Sequence, residues 1–392
     1  MKAAFIHDHK FIYNSTENLY YDGSGGVFGT HLWSRYLEMF EKLYVVGREA
    51  NRVTNKMVLS SYQNVEFRLM GDLVSGKDRI LKAGIIKKKL YSVISEIDVA
   101  VIRLPSVLGY FSIEICRELG KKYVLEIVGC PFDAYWNYGG VLAKITAPVE
   151  YMKLKSVAKK SDAVVYVTKD FLQERYPTNG NSIGISNVNL QECITEEAAL
   201  SFFSDYSEDQ PFNVGMIGSF HVKYKGHTDA LHALKRIIDS GSIKNIKFYF
   251  VGTGDAKWLI DLINELGLSE YVNIVGTLDA GKDGIIPFLD KMHLYIHPSK
   301  TEGLPRVVIE ALSRGRLCIA SSVGGIPELL KTKYLHSPGN SEELSNKIID
   351  LYLDRNSWSE IVKYNLKTSE GYFELLLQEK RKHFITTYLG EN

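Results

Sequence analysis

Cysteine is scarce in this chain: four residues, at 116, 130, 193 and 318, lie far apart in 392 residues and form no CxxC pair. That usage suits a reducing compartment and excludes a disulfide scaffold or a zinc site built on paired thiols. Charge of one sign is missing too. The formal net charge is +1, so no global field draws the chain to nucleic acid or to a polyanion. Long apolar runs are absent, since nowhere do 18 apolar residues follow one another, and the opening MKAAFIHDHKF meets charge too early for a signal peptide. The expectation is a cytoplasmic protein, with peripheral contact at the inner face of the membrane left open. An apolar fraction of 45% against 24% charged excludes a disordered chain.

A chain of this length is too long for one ordinary core and suits two domains. Short apolar runs such as KAAFIH, KLYVVG, EIDVAVIRLP, KKYVLEIVG and DAVVYVT alternate with amphipathic stretches such as GTHLWSRYLEMF, LGYFSIEICREL and EYMKLKSVAKK. Apolar strands separated by helices predict a mostly parallel sheet covered on both faces. The segment NVNLQECITEEAALSFFSDYSEDQP has weak periodicity and reads as a linker. The pattern then restarts with FNVGMIGSF and continues through IKFYFVGTG, YVNIVG, MHLYIHPS and LCIASSVGG. Two Rossmann-like α/β domains are therefore expected at 1–205 and 206–370, with a largely helical end at 371–392 that crosses back to the first. Tandem sheets of this kind bind ligands at their carboxyl ends, in the cleft between the domains.

Several loops at those strand ends carry chemistry. Gly23, Gly25, Gly26 and Gly29 in DGSGGVFGTH free the backbone to approach an anion before a helix, or simply make a tight turn. Gly252 and Gly254 in VGTGD resemble a dinucleotide fingerprint whose third glycine is replaced by Lys257, so a plain strand-to-helix turn competes with a ligand contact. Lys225, beside Gly226, offers a point charge to a phosphate or to water. In HPSKTEGLPRVVIEALSRG, Glu302 and Glu310 stand eight positions apart around a helix start. Each either stabilises the positive end of the helix dipole or accepts hydroxyl hydrogen bonds. SSVGGIPELL repeats the device with Gly324, Gly325 and Glu328. Finally, KDRILKAGIIKKK, Lys77 to Lys89, is either a solvated helix face or a contact for an anionic membrane surface.

Taken together, GSFHVKYKGHTDAL, VGTGD, the Glu302-x7-Glu310 pattern and SSVGGIPEL resemble the retaining GT-B fold glycosyltransferases of family 4. The likeness covers the second domain motif by motif and the first more coarsely. It implies two Rossmann-like domains facing each other across a cleft and a nucleotide-sugar donor, a UDP- or GDP-sugar, with no metal or other cofactor. It implies catalytic roles for Glu302, beside the transferred sugar, for Lys225 at the donor pyrophosphate, and for Gly25 and Gly26 closing over the phosphates. It also implies donor contacts from Ser219, Lys223, Gly303, Leu304 and, through the ribose hydroxyls, Glu310.

Two positions depart from the family pattern. Ser219 stands where many members have an arginine, with Lys223 as the substitute. The first-domain stretch EIVGCPFDAYW lacks the expected histidine, leaving Cys130 and Asp133 as the polar side chains there. The function expected is transfer of a hexose-type sugar to a glycan or lipid-linked glycan in surface polysaccharide or glycoconjugate synthesis, with no nucleic-acid partner. A noncatalytic nucleotide-sugar-binding subunit and a GT-B nucleotide-sugar epimerase are the alternatives.

Overall fold

Runs that are apolar at every position become strands buried on both faces. β6 (Val99–Leu104) is buried along its whole length, and β7 (Lys122–Ile127) after its first residue. They belong to a first sheet in which β5 (Val65–Leu69), β3 (Lys42–Glu49), β1 (Lys2–Asn14), β6, β7, β8 (Ala163–Tyr166) and β9 (Asn181–Gly184) pair in that order, all parallel. A second sheet runs β12 (Val272–Gly276), β11 (Ile246–Val251), β10 (Phe212–Ile217), β13 (Leu294–His297), β14 (Leu317–Ser321) and β15 (Leu335–His336), again all parallel. The computed structural model describes residues 1–23, 28–50, 57–71, 82–138, 140–279 and 284–390. Gly25, Gly26 and the 77–81 part of the basic stretch lie outside them.

β1 is longer than the apolar run KAAFIH predicts. Beyond Ile6 its register against β3 shifts, and Phe11 to Asn14 pair antiparallel with β2 (Leu19–Asp22), which in turn pairs with β4 (Val58–Leu59). The tyrosine-rich stretch YNSTENLYYD is thus a hairpin. Its turn is closed by Asn18 at φ 56°, a left-handed conformation that asparagine tolerates.

Helices cover both faces of the first sheet. Those at Ala83–Ser95, Val107–Glu118 and Val141–Lys159 share one core with Ile102, Leu125 and Tyr166. On the other face, the Thr30–Leu37 helix and the C-terminal Glu374–Leu389 helix bury Trp33, Tyr36, Leu377 and Ile385 in a cluster that continues to Val308 and Leu312 of the second lobe. Arg381 of that last helix donates to the Ser186 carbonyl and the Asn187 side chain of the first lobe. The two lobes therefore share packing as well as a chain crossing. The 187–211 stretch is not a bare connector. It contains the Glu196–Ser204 helix, capped by Thr195, whose Ala199 and Phe203 are buried in the second lobe's core.

Candidate active site

Every parallel strand of the second sheet delivers its following loop to the same edge, and three loops converge there. After β13, Pro305 caps a helix at Arg306–Ser313 that buries Val308, Ile309, Ala311 and Leu312, the spacing of a single apolar stripe. Gly315, at φ 63°, ends it: its amide donates to Leu312 and that of Arg316 to Ala311, a left-handed C-terminal cap. This holds Glu302 at the loop and Glu310 in the second turn.

Glu302 is locked in place by two partners. Lys225 Nζ donates to its Oε1 at 2.6 Å and His297 Nε2 lies 2.8 Å from the same oxygen. Tyr295, on the same face of β13 two residues earlier, places its hydroxyl 3.0 Å from His297 Nδ1. With the tyrosine hydroxyl donating to Nδ1, the imidazole presents Nε2–H to the carboxylate, so one line of hydrogen bonds fixes ring, tautomer and acid. Burial pushes the Glu302 carboxyl upward, yet Lys225 and His297 outweigh it and hold it well below the usual carboxylate range. The anion is therefore permanent at neutral pH.

Lys225 owes its position to glycine. Gly226 adopts φ 85°, and a Cβ there would meet the Pro298 carbonyl oxygen at 2.1 Å, so only glycine lets the lysine loop lie against the β13 loop. Gly252 serves a similar purpose, since its Cβ would lie 2.0 Å from the Gly218 carbonyl oxygen. That glycine packs two loops together. Ser219 donates to the Thr253 carbonyl at 3.2 Å, and Lys223 is exposed with its ammonium 5.7 Å from the Trp258 ring centre.

Glu310 differs from Glu302. Burial raises its pKa and only the charge of Arg306 opposes the rise. Among the described residues no cation is hydrogen-bonded to fix it as an anion in the way that Lys225 fixes Glu302, and it is suited to hydroxyl partners.

The first lobe meets these loops closely. A Cβ on Gly303 would lie 2.4 Å from the Val128 carbonyl oxygen at the end of β7, and one on Gly325 would lie 2.7 Å from Thr168 Cγ2. Leu304 packs against the cores on both sides. Glu328 reaches across to accept from the backbone amides of Lys169, Asp170 and Phe171, at 2.6, 3.1 and 3.0 Å, capping the start of the short Phe171–Arg175 helix. Its role lies between the lobes, which its place after a glycine pair did not reveal.

Neither candidate of EIVGCPFDAYW is free for chemistry. Cys130 Sγ sits 2.9 Å from the Tyr176 hydroxyl with its pKa raised by burial, and Asp133 is paired with Arg175 at 2.8 Å. The first lobe instead brings other histidines to its edge. His9 Nε2 lies 2.8 Å from Asp22 Oδ1, whose second oxygen accepts from the Phe28 amide at 2.9 Å. The pKa of His31 is lowered by burial and by the charges of Arg35 and of Arg306 from the opposite lobe. His297, His31 and Arg306 escaped the sequence reading, although a histidine ending an apolar strand is itself a signal for the first of them. Among the described residues no three His, Cys, Asp or Glu side chains converge as a metal site.

Two parallel α/β lobes with their strand ends facing one cleft, and an acidic loop-helix at the second lobe's edge, define the GT-B architecture. The chain belongs to the GT-B glycosyltransferases of the group 1, family 4-like, family. A family model described as glycosyl transferases group 1 matches residues 211–354. Protein CapJ of Staphylococcus aureus is 32% identical over 392 residues, covering 99% of this chain and 96% of that protein. In fold, sucrose-phosphate synthase from Thermosynechococcus elongatus superposes with a TM-score of 0.72 at 15% identity, over the whole of both chains. HepE of Anabaena, solved in complex with UDP, superposes with 0.69 at 15% identity, over 99% of this chain and 100% of that one.

Proposed function

We propose that the chain is a retaining glycosyltransferase that moves a hexose-type sugar from a nucleotide-diphosphate sugar, with UDP the favoured nucleotide, to a glycan or lipid-linked glycan in surface polysaccharide assembly. The observation that carries this reading is the Lys225–Glu302–His297 constellation at the end of β13, with Glu310 in the second turn of the helix that follows. HepE, of the same fold, has been solved with UDP and glucose and with UDP-glucose, and the partial relative CapM of Staphylococcus aureus is named a capsular polysaccharide biosynthesis glycosyltransferase. Both support the donor and the setting.

In this reading Glu310 accepts the ribose hydroxyls and Lys225 shares its ammonium between Glu302 and the donor diphosphate. Gly303 and Leu304 present backbone amides to sugar or phosphate at the start of the Arg306–Ser313 helix, whose dipole favours negative charge. The acceptor oxygen attacks the anomeric carbon from the face the diphosphate leaves, and the departing phosphate oxygen takes the acceptor proton. Positive charge placed beforehand where the leaving group develops its negative charge lowers the barrier. Ser219 and Lys223 complete the phosphate pocket. The reading requires no metal.

Calorimetry with UDP, GDP, ADP, dTDP and their common sugar conjugates, on wild type and Glu310→Ala, tests it. One nucleotide bound in preference and lost in the variant is expected. Failure of all of them to bind would overturn the donor site. Tight binding with no transfer to any glycan acceptor would favour a binding subunit, and an altered free sugar without acceptor would favour an epimerase.

A further inference from the structure

The Val141–Lys159 helix is apolar on two opposite sides. Ala147, Leu154 and Ala158 face the first lobe's core. Val141, Leu142, Ile145, Val149 and Met152 are instead 62–78% exposed. At about 100° per residue these five fall within an arc of roughly 100° on the outward side. A soluble surface helix spends that arc on polar groups, so a continuous exposed stripe of this length marks an interaction face.

Charge says which partner it fits. Between 141 and 160 the sequence has Lys144, Lys153, Lys155, Lys159 and Lys160 against the single acid Glu150. On the same helical count, Lys144 and Lys155 border the stripe on one side and Lys153 on the other, while Lys159 and Lys160 lie at its end. Trp136, on the adjoining Pro131–Tyr138 helix, is 47% exposed, stacks on Phe132 and lies under the Lys144 ammonium, 5.5 Å from its ring centre. An apolar strip rimmed by lysines, with an exposed tryptophan at its margin, matches the acyl boundary and anionic headgroups of a bilayer surface.

We propose that this outward face, with Trp136, docks the protein on an anionic lipid bilayer. The stripe runs into an apolar cavity of about 610 Å³ lined by Ala134, Tyr135, Val141, Leu142 and Ala143. The Pro131–Tyr138 helix also touches the Lys223–Lys225 loop of the second lobe, so the docked face borders the cleft mouth. The basic stretch at Lys82–Lys89 contributes less than its composition implies: Lys87 is tied to Glu114 at 2.7 Å and lies over the Phe111 ring. Its helix covers the same face of the sheet, with Lys88 and Lys89 exposed beside it. No helix among the described residues is long and apolar enough to cross a membrane. The contact is interfacial.

The test is flotation of the full-length protein with vesicles of phosphatidylcholine alone and of phosphatidylcholine mixed equally with phosphatidylglycerol. Binding to the mixed vesicles is expected, weakened by salt, with Trp136 fluorescence shifted to the blue and quenched by brominated acyl chains. The Leu142→Asp/Ile145→Asp variant should lose at least about tenfold in partitioning, because both chains leave the acyl boundary. Lys144→Gln/Lys155→Gln should lose about tenfold on anionic vesicles alone. All four positions lie on the outward side or its borders, and unchanged melting curves would confirm that the fold persists. Equal vesicle binding by wild type and the aspartate variant, or no binding at all, would overturn the proposal. So would a concentration-dependent dimer in lipid-free buffer that the aspartate variant abolishes, which would make a second copy of the chain the occupant.

Discussion

Lys225 and Glu302 are joined across 77 positions of sequence by a hydrogen bond of 2.6 Å, and the pair is mostly withdrawn from solvent, at 23% and 12% side-chain exposure. The lysine loop and the acidic loop of the second lobe are thus one unit. In the proposed reading, a diphosphate approaching Lys225 meets an ammonium already oriented by an anion.

Breaking one side of this pair should cost more than breaking both. Lys225→Met leaves a mostly buried carboxylate held by His297, and a loss of about 1–3 kcal/mol in urea denaturation at neutral pH is expected for this partly exposed pair. Adding Glu302→Gln should restore part of that loss. Strictly additive single costs would show that the two side chains are not coupled.

The same pair sets an acid limit. Glu302 is held below the ordinary carboxylate range, so the folded state binds the proton less readily than the unfolded chain. Its contribution is complete above the unfolded value of about 4.3 and fades as the pH falls below it. The stability difference between wild type and Glu302→Gln, followed from neutral pH downward, should shrink in that window. A difference that widens toward acid would contradict the assignment.

Glu310 should behave in the opposite way. Its raised pKa means that folding disfavours its charged form, so Glu310→Gln should melt higher than wild type in the absence of ligand. In the proposed reading the same change removes charged acceptors from the ribose, and nucleotide affinity should fall by about 10–100-fold. A stabilised variant that still binds normally would detach Glu310 from the donor.

Glu328 should govern how the lobes are held. Glu328→Ala frees the amides of Lys169, Asp170 and Phe171, with an expected cost of about 1–2 kcal/mol. Amide hydrogen exchange at those three residues should accelerate, and the radius of gyration in solution scattering should increase. Unchanged exchange there would mean that the cap is replaced by water without consequence.

Much of the second lobe is legible in the sequence alone. Its strands are short and mostly apolar, and their loops carry glycines where backbones approach closely, so element type and the acidic loop-helix could be read from local pattern. The first lobe is less so. β1 overruns its apolar stretch because HDHKFIYN is held by pairing with β2, a partner that local pattern does not name. The Val141–Lys159 helix has apolar residues on both sides, and periodicity alone cannot say which side faces the core. Cys130 and Asp133 looked available in sequence and are taken by Tyr176 and Arg175.

The sequence by itself determined which chemical groups stand at the strand ends: a lysine beside a glycine, two glutamates eight apart, a glycine pair before a third. These follow from local spacing, because a strand, its turn and the next helix are contiguous in the chain. Only the tertiary structure decided the partners. That Lys225 and His297 share one oxygen of Glu302 and that Glu328 caps a helix of the opposite lobe depend on long-range packing of two sheets; burial raises the pKa of both Glu302 and Glu310, identical in chemistry, and only the cationic partners that this packing brings to Glu302 reverse its shift.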